Sequence, residues 1–219
     1  MYTIIVANSP IFDAAPFAAL LRAADLVIAA DGGGNALYII RFAPHLVVGD
    51  LDSLNVTVEA WFAAAGVEIQ QYPAEKDETD LELALLSAVE RGATRLDILG
   101  ALGGRWDQSL SNVALLALPE LNGCRVRLLD VDQEAYLVRD AAEILGDPGD
   151  IVSLLPVGGA AYGVTTKGLQ YPLHDATLYY ERSRGVSNVL AASPGRVSLC
   201  SGQLLLIRSF SNQAPTALQ

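Results

Sequence analysis

A chain of 219 residues that is 52% hydrophobic and carries a formal charge of −11 is not a disordered segment. Nor does it suit a nucleic-acid binder, because a polyanion is repelled overall. A nucleotide remains open, since a metal ion can bridge phosphate to carboxylate, and so does a small cationic substrate.

The start, MYTIIVANSP, lacks a basic region and reads as a first strand rather than a signal peptide. From there short apolar runs predict strands at 2–7, 26–30, 46–48, 67–70, 95–99 and 125–129. Between them the pattern predicts helices at 14–24, 35–42, 56–65, 81–91 and 109–118. The fourth carries an apolar stripe at Leu81, Ala84, Leu85 and Ala88. The fifth is largely apolar and is expected to be buried. This alternation implies βαβ units, a mostly parallel sheet and helices on both faces.

The rhythm changes after about Asp130. Short β-type runs follow at 135–139, 151–155, 163–166, 177–180, 196–199 and 204–208, punctuated by Gly, Pro and Asp. That is the pattern of a small antiparallel sandwich. The expectation is an α/β fold with a C-terminal all-β sandwich: residues 1–132 form an N-terminal α/β unit, and residues 133–219 the sandwich. The tail 211–219 is expected to fray. Cys124 and Cys200 lie in apolar settings without CxxC spacing and read as buried thiols of a reducing compartment. No apolar run reaches membrane-spanning length without a charge, so a soluble cytoplasmic protein with no membrane partner is expected.

Aspartates stand where the predicted strands end. Asp31 follows LVIAA, and Asp50 and Asp52 follow HLVV in Gly-Asp-Leu-Asp-Ser. Loops that leave parallel strands emerge on one sheet edge, where ligands of open α/β sheets bind. Carboxylates gathered there suit a hard cation such as Mg²⁺, which takes one or two of them along with water and phosphate. Asp-x-Asp-Ser also fits a turn whose aspartates bond their own backbone. Thr79-Asp80-Leu81-Glu82 fits a capping box, with Asp80 in the first helical turn. Lys76 in that acidic loop can hold a phosphate as a point charge, or be an ordinary surface lysine.

Gly100-Ala-Leu-Gly-Gly-Arg-Trp-Asp follows a strand and precedes a helix. Gly103 and Gly104 allow backbone N–H groups close to phosphate oxygens, and Arg105 can fork onto phosphate. Gly32 and Gly33 permit the same approach beside Asp31. Asp107 can cap the helix or reach metal or substrate. Trp106 can offer an aromatic face to a cationic ring or pack in the core. His45 and His174 read as structural or solvated. Walker, Gly-x-Gly-x-x-Gly and Gly-x-Ser-x-Gly fingerprints are absent, and two histidines do not make a histidine-rich zinc site.

Taken in order, Ala30 to Asn35, Gly49 to Ser53, Lys76 to Leu85 and Gly103 to Gln108 resemble the motifs of the thiamine pyrophosphokinase (thiamine diphosphokinase) family. Segments 151–156, 168–173 and 185–188 resemble its small vitamin-binding β-domain. The resemblance implies transfer of pyrophosphate from ATP to the thiamine hydroxyl, leaving AMP, in a homodimer with thiamine sites between subunits. It implies Mg²⁺ on Asp50, Asp52 and Asp80. It places Asp31, Gly32, Gly33, Asn35, Lys76, Gly103, Gly104 and Arg105 around ATP, and Asp107, Gln108, Ser187 and Asn188 on the substrate side. Lys76, Arg105 and Asp107 join the three metal carboxylates as catalytic residues. The chain departs from the pattern at Gly34, Ala36, Leu51 and Val189. A pyrophosphokinase for another alcohol, such as a hydroxymethylpterin, would keep the same phosphate loops. A non-catalytic nucleotide- or thiamine-binding protein is the alternative outside enzymes.

Overall fold

The computed structural model describes residues 1–211; from 212 onward, the tail expected to fray lies outside the described residues. The chain divides into two compact units, the first covering Met1–Leu129 and the second beginning at Asp130.

The first unit contains β1 (Tyr2–Val6), α1 (Ala18–Ala23), β2 (Leu26–Ala30), α2 (Gly33–Ile39), β3 (Leu46–Gly49), α3 (Val56–Ala64), β4 (Glu68–Gln71), α4 (Asp80–Glu90), β5 (Arg95–Leu99), α5 (Trp106–Ala114) and β6 (Arg125–Leu129). Its strands lie in the order β6-β5-β1-β2-β3-β4, and every neighbouring pair is parallel. Every residue of β2 and β3 is buried, which explains their unbroken apolar runs: strands covered on both faces need no polar alternation. β4, at the edge, is polar, as an edge strand should be.

From β1 the chain steps outward through β2 and β3 to β4. It then returns with β5 on the other side of β1. The connections leaving β1 and β5 therefore diverge, which makes the crevice beyond their carboxyl ends the switch point of the sheet.

Most elements fall where the apolar pattern puts them. The stripe of α4 is buried as expected at Leu81, Ala84, Leu85 and Ala88. Thr79 caps that helix, its hydroxyl accepting from the Glu82 N–H at 3.2 Å. α2 begins at Gly33, two residues before its expected start. A Cβ on Gly33 would stand 2.0 Å from the Val6 carbonyl oxygen, so the glycines belong to the helix–strand contact as well as to the turn.

The expectation for α5 is corrected. The helix starts at Trp106, not Ser109, and is mostly exposed: Trp106 is 84% and Leu110 72% accessible. Its one buried residue is Asn112, whose amide donates to the Ala101 carbonyl at 2.7 Å. The burial expected of the helix falls on Leu115 and Leu116 in the 3-10 turn after it.

The second unit contains β7 (Gln133–Val138), β8 (Ala141–Ile144), β9 (Ile151–Pro156), β10 (Ala161–Lys167), β11 (Ala176–Leu178), β12 (Asn188–Val189), β13 (Gly195–Ser198) and β14 (Leu204–Ser209). Within it β12-β9-β14-β7 form one antiparallel arrangement and β11-β10-β13-β8 another. Burial alternates along β9 and β10, as strands with one covered face require. Val152, Leu154, Leu204 and Leu206 from the first arrangement share a core with Ile144, Val164, Leu178 and Val197 from the second. The expected sandwich is therefore present. The sequence pattern did not anticipate β8 and β12.

The cysteine expectation is also corrected. Cys200 is exposed and Cys124 half-buried, both free. Each lies just outside a strand, and the Cys124 thiol donates to the Ala93 carbonyl at 3.3 Å. Among the described residues no helix is long and apolar enough to cross a membrane.

Candidate active site

Three loops of the first unit deliver carboxylates to one corner. Asp31 is the first residue after β2, Asp50 the first after β3, and Asp80 the first of α4. Asp31, Asp50 and Asp80 each place a carboxylate oxygen within 4.8 Å of the other two. The convergence depends on the residue between them. Gly49 has φ +149°, and a Cβ there would lie 2.8 Å from the Asp31 Cβ and 3.1 Å from the Asp80 carboxyl carbon. Only a residue without a side chain lets these carboxylates close up.

Asp31 is 3% accessible and sits at φ 42°, a strained conformation for a residue other than glycine. Its backbone N–H donates to the Val48 carbonyl, tying the turn to the end of β3. Its Oδ2 accepts from the Ser53 N–H at 3.2 Å, whereas Oδ1 is buried without a partner. Burial pushes this carboxyl above its ordinary value, hydrogen bonds from Ser53 and Gly32 work against that, and the nearby Asp80 charge adds to it.

Asp50 behaves oppositely. The Asp52 N–H bonds its Oδ1 at 3.1 Å, and the Lys76 ammonium lies 3.2 Å from its Oδ2. The Asp52 N–H and Lys76 together hold Asp50 below the usual carboxylate range, against burial. Lys76 also lies 3.1 Å from Asp80 Oδ1, an oxygen with no aligned hydrogen bond. Burial disfavours the Lys76 charge, but Asp80 and Asp50 outweigh it and raise the ammonium above its ordinary value. The Gly-Asp-Leu-Asp-Ser turn bonds its own backbone through Asp50, and Asp50 also faces the corner.

Asp52 is exposed and is not one of the three converging carboxylates; its Oδ1 accepts from the Ser53 hydroxyl at 2.9 Å. Asn35 braces the same loop. Its amide donates to the Ser53 carbonyl at 2.9 Å and its oxygen accepts from the Asn55 N–H at 3.0 Å. Asn55 in turn caps α3 through the Thr57 N–H. Gly32 lies against the Asn8 amide, 2.4 Å from its nitrogen to a would-be Cβ. Thus Gly32, Gly33 and Asn35 shape the turn around Asp31.

Arg105 and Asp107 form a separate, exposed pair, with Nε to Oδ1 at 3.1 Å. Asp107 lies in the first turn of α5, and both it and Gln108 are exposed. The Arg105 guanidinium and the Gln108 N–H hold Asp107 below its ordinary value. Gly103 and Gly104 take φ of 101° and 70°. A Cβ on Gly103 would meet Ile11 at 2.6 Å and Ser9 Oγ at 3.0 Å, and one on Gly104 would meet Pro10 at 2.8 Å. The loop after β5 is thus seated on the loop after β1. Trp106 belongs to no core, and the core-packing alternative fails. His45 is structural, its Nδ1 accepting from the Val27 N–H at 2.9 Å.

In the second unit Ser187 is exposed, with φ 59°. Its N–H donates to the Ser153 hydroxyl at 3.0 Å. Asn188 is buried and engaged with backbone: it donates to the Tyr171 carbonyl at 2.7 Å and accepts from the Tyr171 N–H at 3.0 Å.

Three groups at the carboxyl edge of the first sheet escaped the sequence reading as site residues: Ser53, Asn8 and Ser9. Ser53 lay inside a quoted motif and could have been found from it. Asn8 and Ser9 carry no pattern.

The donor set suits a divalent cation. Asp50 and Asp80 share one ammonium, and the third carboxylate, Asp31, has a buried oxygen with no proton donor. Oxygen-only ligands favour a hard ion.

Residues 17–128 match the family description "Thiamin pyrophosphokinase, catalytic domain", and residues 139–204 match "Thiamin pyrophosphokinase, vitamin B1 binding domain". A thiamine pyrophosphokinase of Bacillus subtilis is 31% identical over 186 residues, covering 84% of this chain and 87% of that protein. Thiamine pyrophosphokinase 1 of Oryza sativa is 26% identical, covering 90% and 83%. The crystal structure of the Bacillus subtilis enzyme superimposes with a TM-score of 0.83 at 28% identity, covering 96% of this chain and all of that one. The chain belongs to the thiamine pyrophosphokinase family.

Proposed function

We propose that this enzyme transfers the pyrophosphoryl group of ATP to the hydroxyl of thiamine, giving thiamine diphosphate and AMP, at the corner built by Asp31, Asp50, Asp80 and Lys76. The observation that carries this reading is the convergence of three carboxylates from three separate loops within 4.8 Å. Residues 1–132 form the ATP- and metal-binding domain and residues 133–219 the thiamine-binding domain. The enzyme works in the cytoplasm.

Asp50 and Asp80 would hold Mg²⁺, with Asp31 supplying its bare oxygen and Asp52 standing one residue beyond Leu51. When bound, the ion would neutralise phosphate charge. The chain's own groups do the rest by positioning and charge, as phosphoryl-type transfer requires. Lys76 donates to phosphate oxygens as negative charge builds. Arg105 forks onto the same chain, its partner Asp107 holding the guanidinium in place until then. Gly32, Gly33, Gly103 and Gly104 let the backbone come close to the phosphates, and Asn35 keeps the Asp31 and Ser53 turns together. The thiamine oxygen attacks the β-phosphorus in line, the bond to the α-phosphate oxygen breaks, and AMP departs. Asp107 or Asp80 orients the hydroxyl and takes its proton.

On the substrate side Ser187 offers an exposed hydroxyl to thiamine, Asn188 fixes the segment that presents it, and Gln108 lies beside Asp107. Thiamine's cationic ring suits an acidic protein and an exposed aromatic face such as Trp106. A homodimer is part of the same reading, supported by the exposed Trp106 and Leu110 on α5, and analytical ultracentrifugation tests it.

The decisive assay incubates the protein with ATP, Mg²⁺ and thiamine and follows AMP together with thiamine diphosphate. Both products must appear in equal amounts. AMP formed only with a hydroxymethylpterin would move the substrate assignment, and tight thiamine binding without AMP would make the chain a binding protein.

A further inference from the structure

We propose that Asn8 and Ser9, on the loop after β1, belong to the polyphosphate-binding surface of this site and donate hydrogen bonds to phosphate oxygens of a nucleoside triphosphate. The proposal rests on the functional reading above and extends it to two residues outside every motif of the chain.

The Ser9 hydroxyl oxygen is buried and has no hydrogen-bond partner among the described residues. A buried hydroxyl left unpaired carries a desolvation cost with no return, so a ligand that fills it gains what the fold forgoes. Its place in the sheet says which ligand. The loop that bears it leaves β1, and the loop 100–105 leaves β5; these are the two strands that flank the switch point.

Each of the two residues touches a glycine turn assigned to phosphate. The Asn8 amide lies over Gly32, next to Asp31. Ser9 Oγ would stand 3.0 Å from a Cβ on Gly103. Pro10 and Ile11 pack on Gly104 and Gly103, so the donors are held rather than left to swing. Phosphate oxygens only accept hydrogen bonds, and an amide NH₂ and a hydroxyl can both donate. The Asn8–Ser9 segment thus fills the edge between the Asp31 turn and the Arg105 loop with donors.

The test compares wild type with Ser9→Ala and with the double variant Asn8→Ala/Ser9→Ala. Calorimetry with α,β-methylene-ATP and Mg²⁺ reads nucleotide affinity, a separate thiamine titration reads the other substrate, and thermal melting reads the fold. Ser9→Ala is expected to melt at or above the wild-type temperature, since its hydroxyl has no internal bond to lose. It should bind the analogue about tenfold more weakly and thiamine unchanged. The double variant should bind the analogue more weakly still. Analogue affinity within about twofold of wild type, or a loss that falls on thiamine instead, overturns the proposal. A wild-type protein that takes up no analogue with metal overturns the site reading itself, a different result from a variant that merely matches a binding-competent parent.

Discussion

Each unit holds a cluster of carboxylates around one basic side chain, and the two clusters are satisfied to different degrees. In the second unit Arg208 donates to Asp150 Oδ2 at 2.8 Å and to Glu134 Oε1 at 2.9 Å. The other Asp150 oxygen accepts from the Ser211 N–H and hydroxyl, and Oδ2 also takes the Asp147 N–H. In the first unit Asp50 and Asp80 share Lys76, and the neighbouring Asp31 has a buried oxygen with nothing to accept. Acidity does not separate the clusters, but unfilled bonding capacity does. The Arg208 cluster closes on itself and holds strands together, whereas the Lys76 cluster keeps bonding capacity unfilled.

Mutations that remove one carboxylate from each cluster should therefore have opposite signatures. Asp50→Asn is expected to lower AMP formation at least about a hundredfold with a melting temperature near wild type. Near-normal turnover would sink the cation assignment. Asp150→Ala should do the reverse: unfolding free energy in denaturant falls by about 3 kcal/mol as Arg208 and the Ser211 and Asp147 N–H groups lose their acceptor. AMP formation should persist below the lowered melting temperature.

Acid sharpens the contrast. Burial alone would raise Asp150, but the bonds from Ser211, Asp147 and Arg208 outweigh it and hold the carboxyl below its ordinary value. A depressed folded value means that the unfolded chain takes up the proton first. This contribution is whole above the unfolded value near ~4 and is lost as pH falls through the folded one. Denaturation measured below about pH 4 should show that slope, and Asp150→Asn should flatten it.

Asp31 carries the opposite sign. Its raised value means that stability declines as pH climbs from the unfolded toward the folded value, because ionisation in the buried turn is penalised. Asp31→Asn should then stabilise the protein by about 0.5–2 kcal/mol at neutral pH while AMP formation is lost. Destabilisation in denaturant melts would refute the claim that this charge strains the fold.

The sequence carried most of this architecture, because buried parallel strands and the α4 stripe leave long apolar signatures. The Asp50 and Asp80 loops were legible because aspartates directly follow strands or open a helix. What stayed hidden was set by tertiary contact. Apolar residues at 110 and 113–118 suggested a buried helix, yet Trp106 and Leu110 face solvent and the burial falls on Leu115 and Leu116. β12 is two residues long, too short for any periodicity, and β8 contains only Ala141, Ala142, Glu143 and Ile144. That Asp31 joins Asp50 and Asp80, while Asp52 turns to Ser53, depends on backbone dihedrals that composition does not record. Ser9 has no neighbour in sequence that marks it, and its significance lies in a missing bond.

Gly49 holds none of the reacting groups, yet it sets how densely negative charge is concentrated. A methyl group there would press on Asp31 and Asp80 together and push apart two of the three carboxylates. A chain carrying that one change would keep every acidic residue at its place in the sequence and still lose the close grouping of their charges. In this lineage of folds, inspection of the charged positions alone would pass such a protein as intact, and the smallest residue would be the one to check.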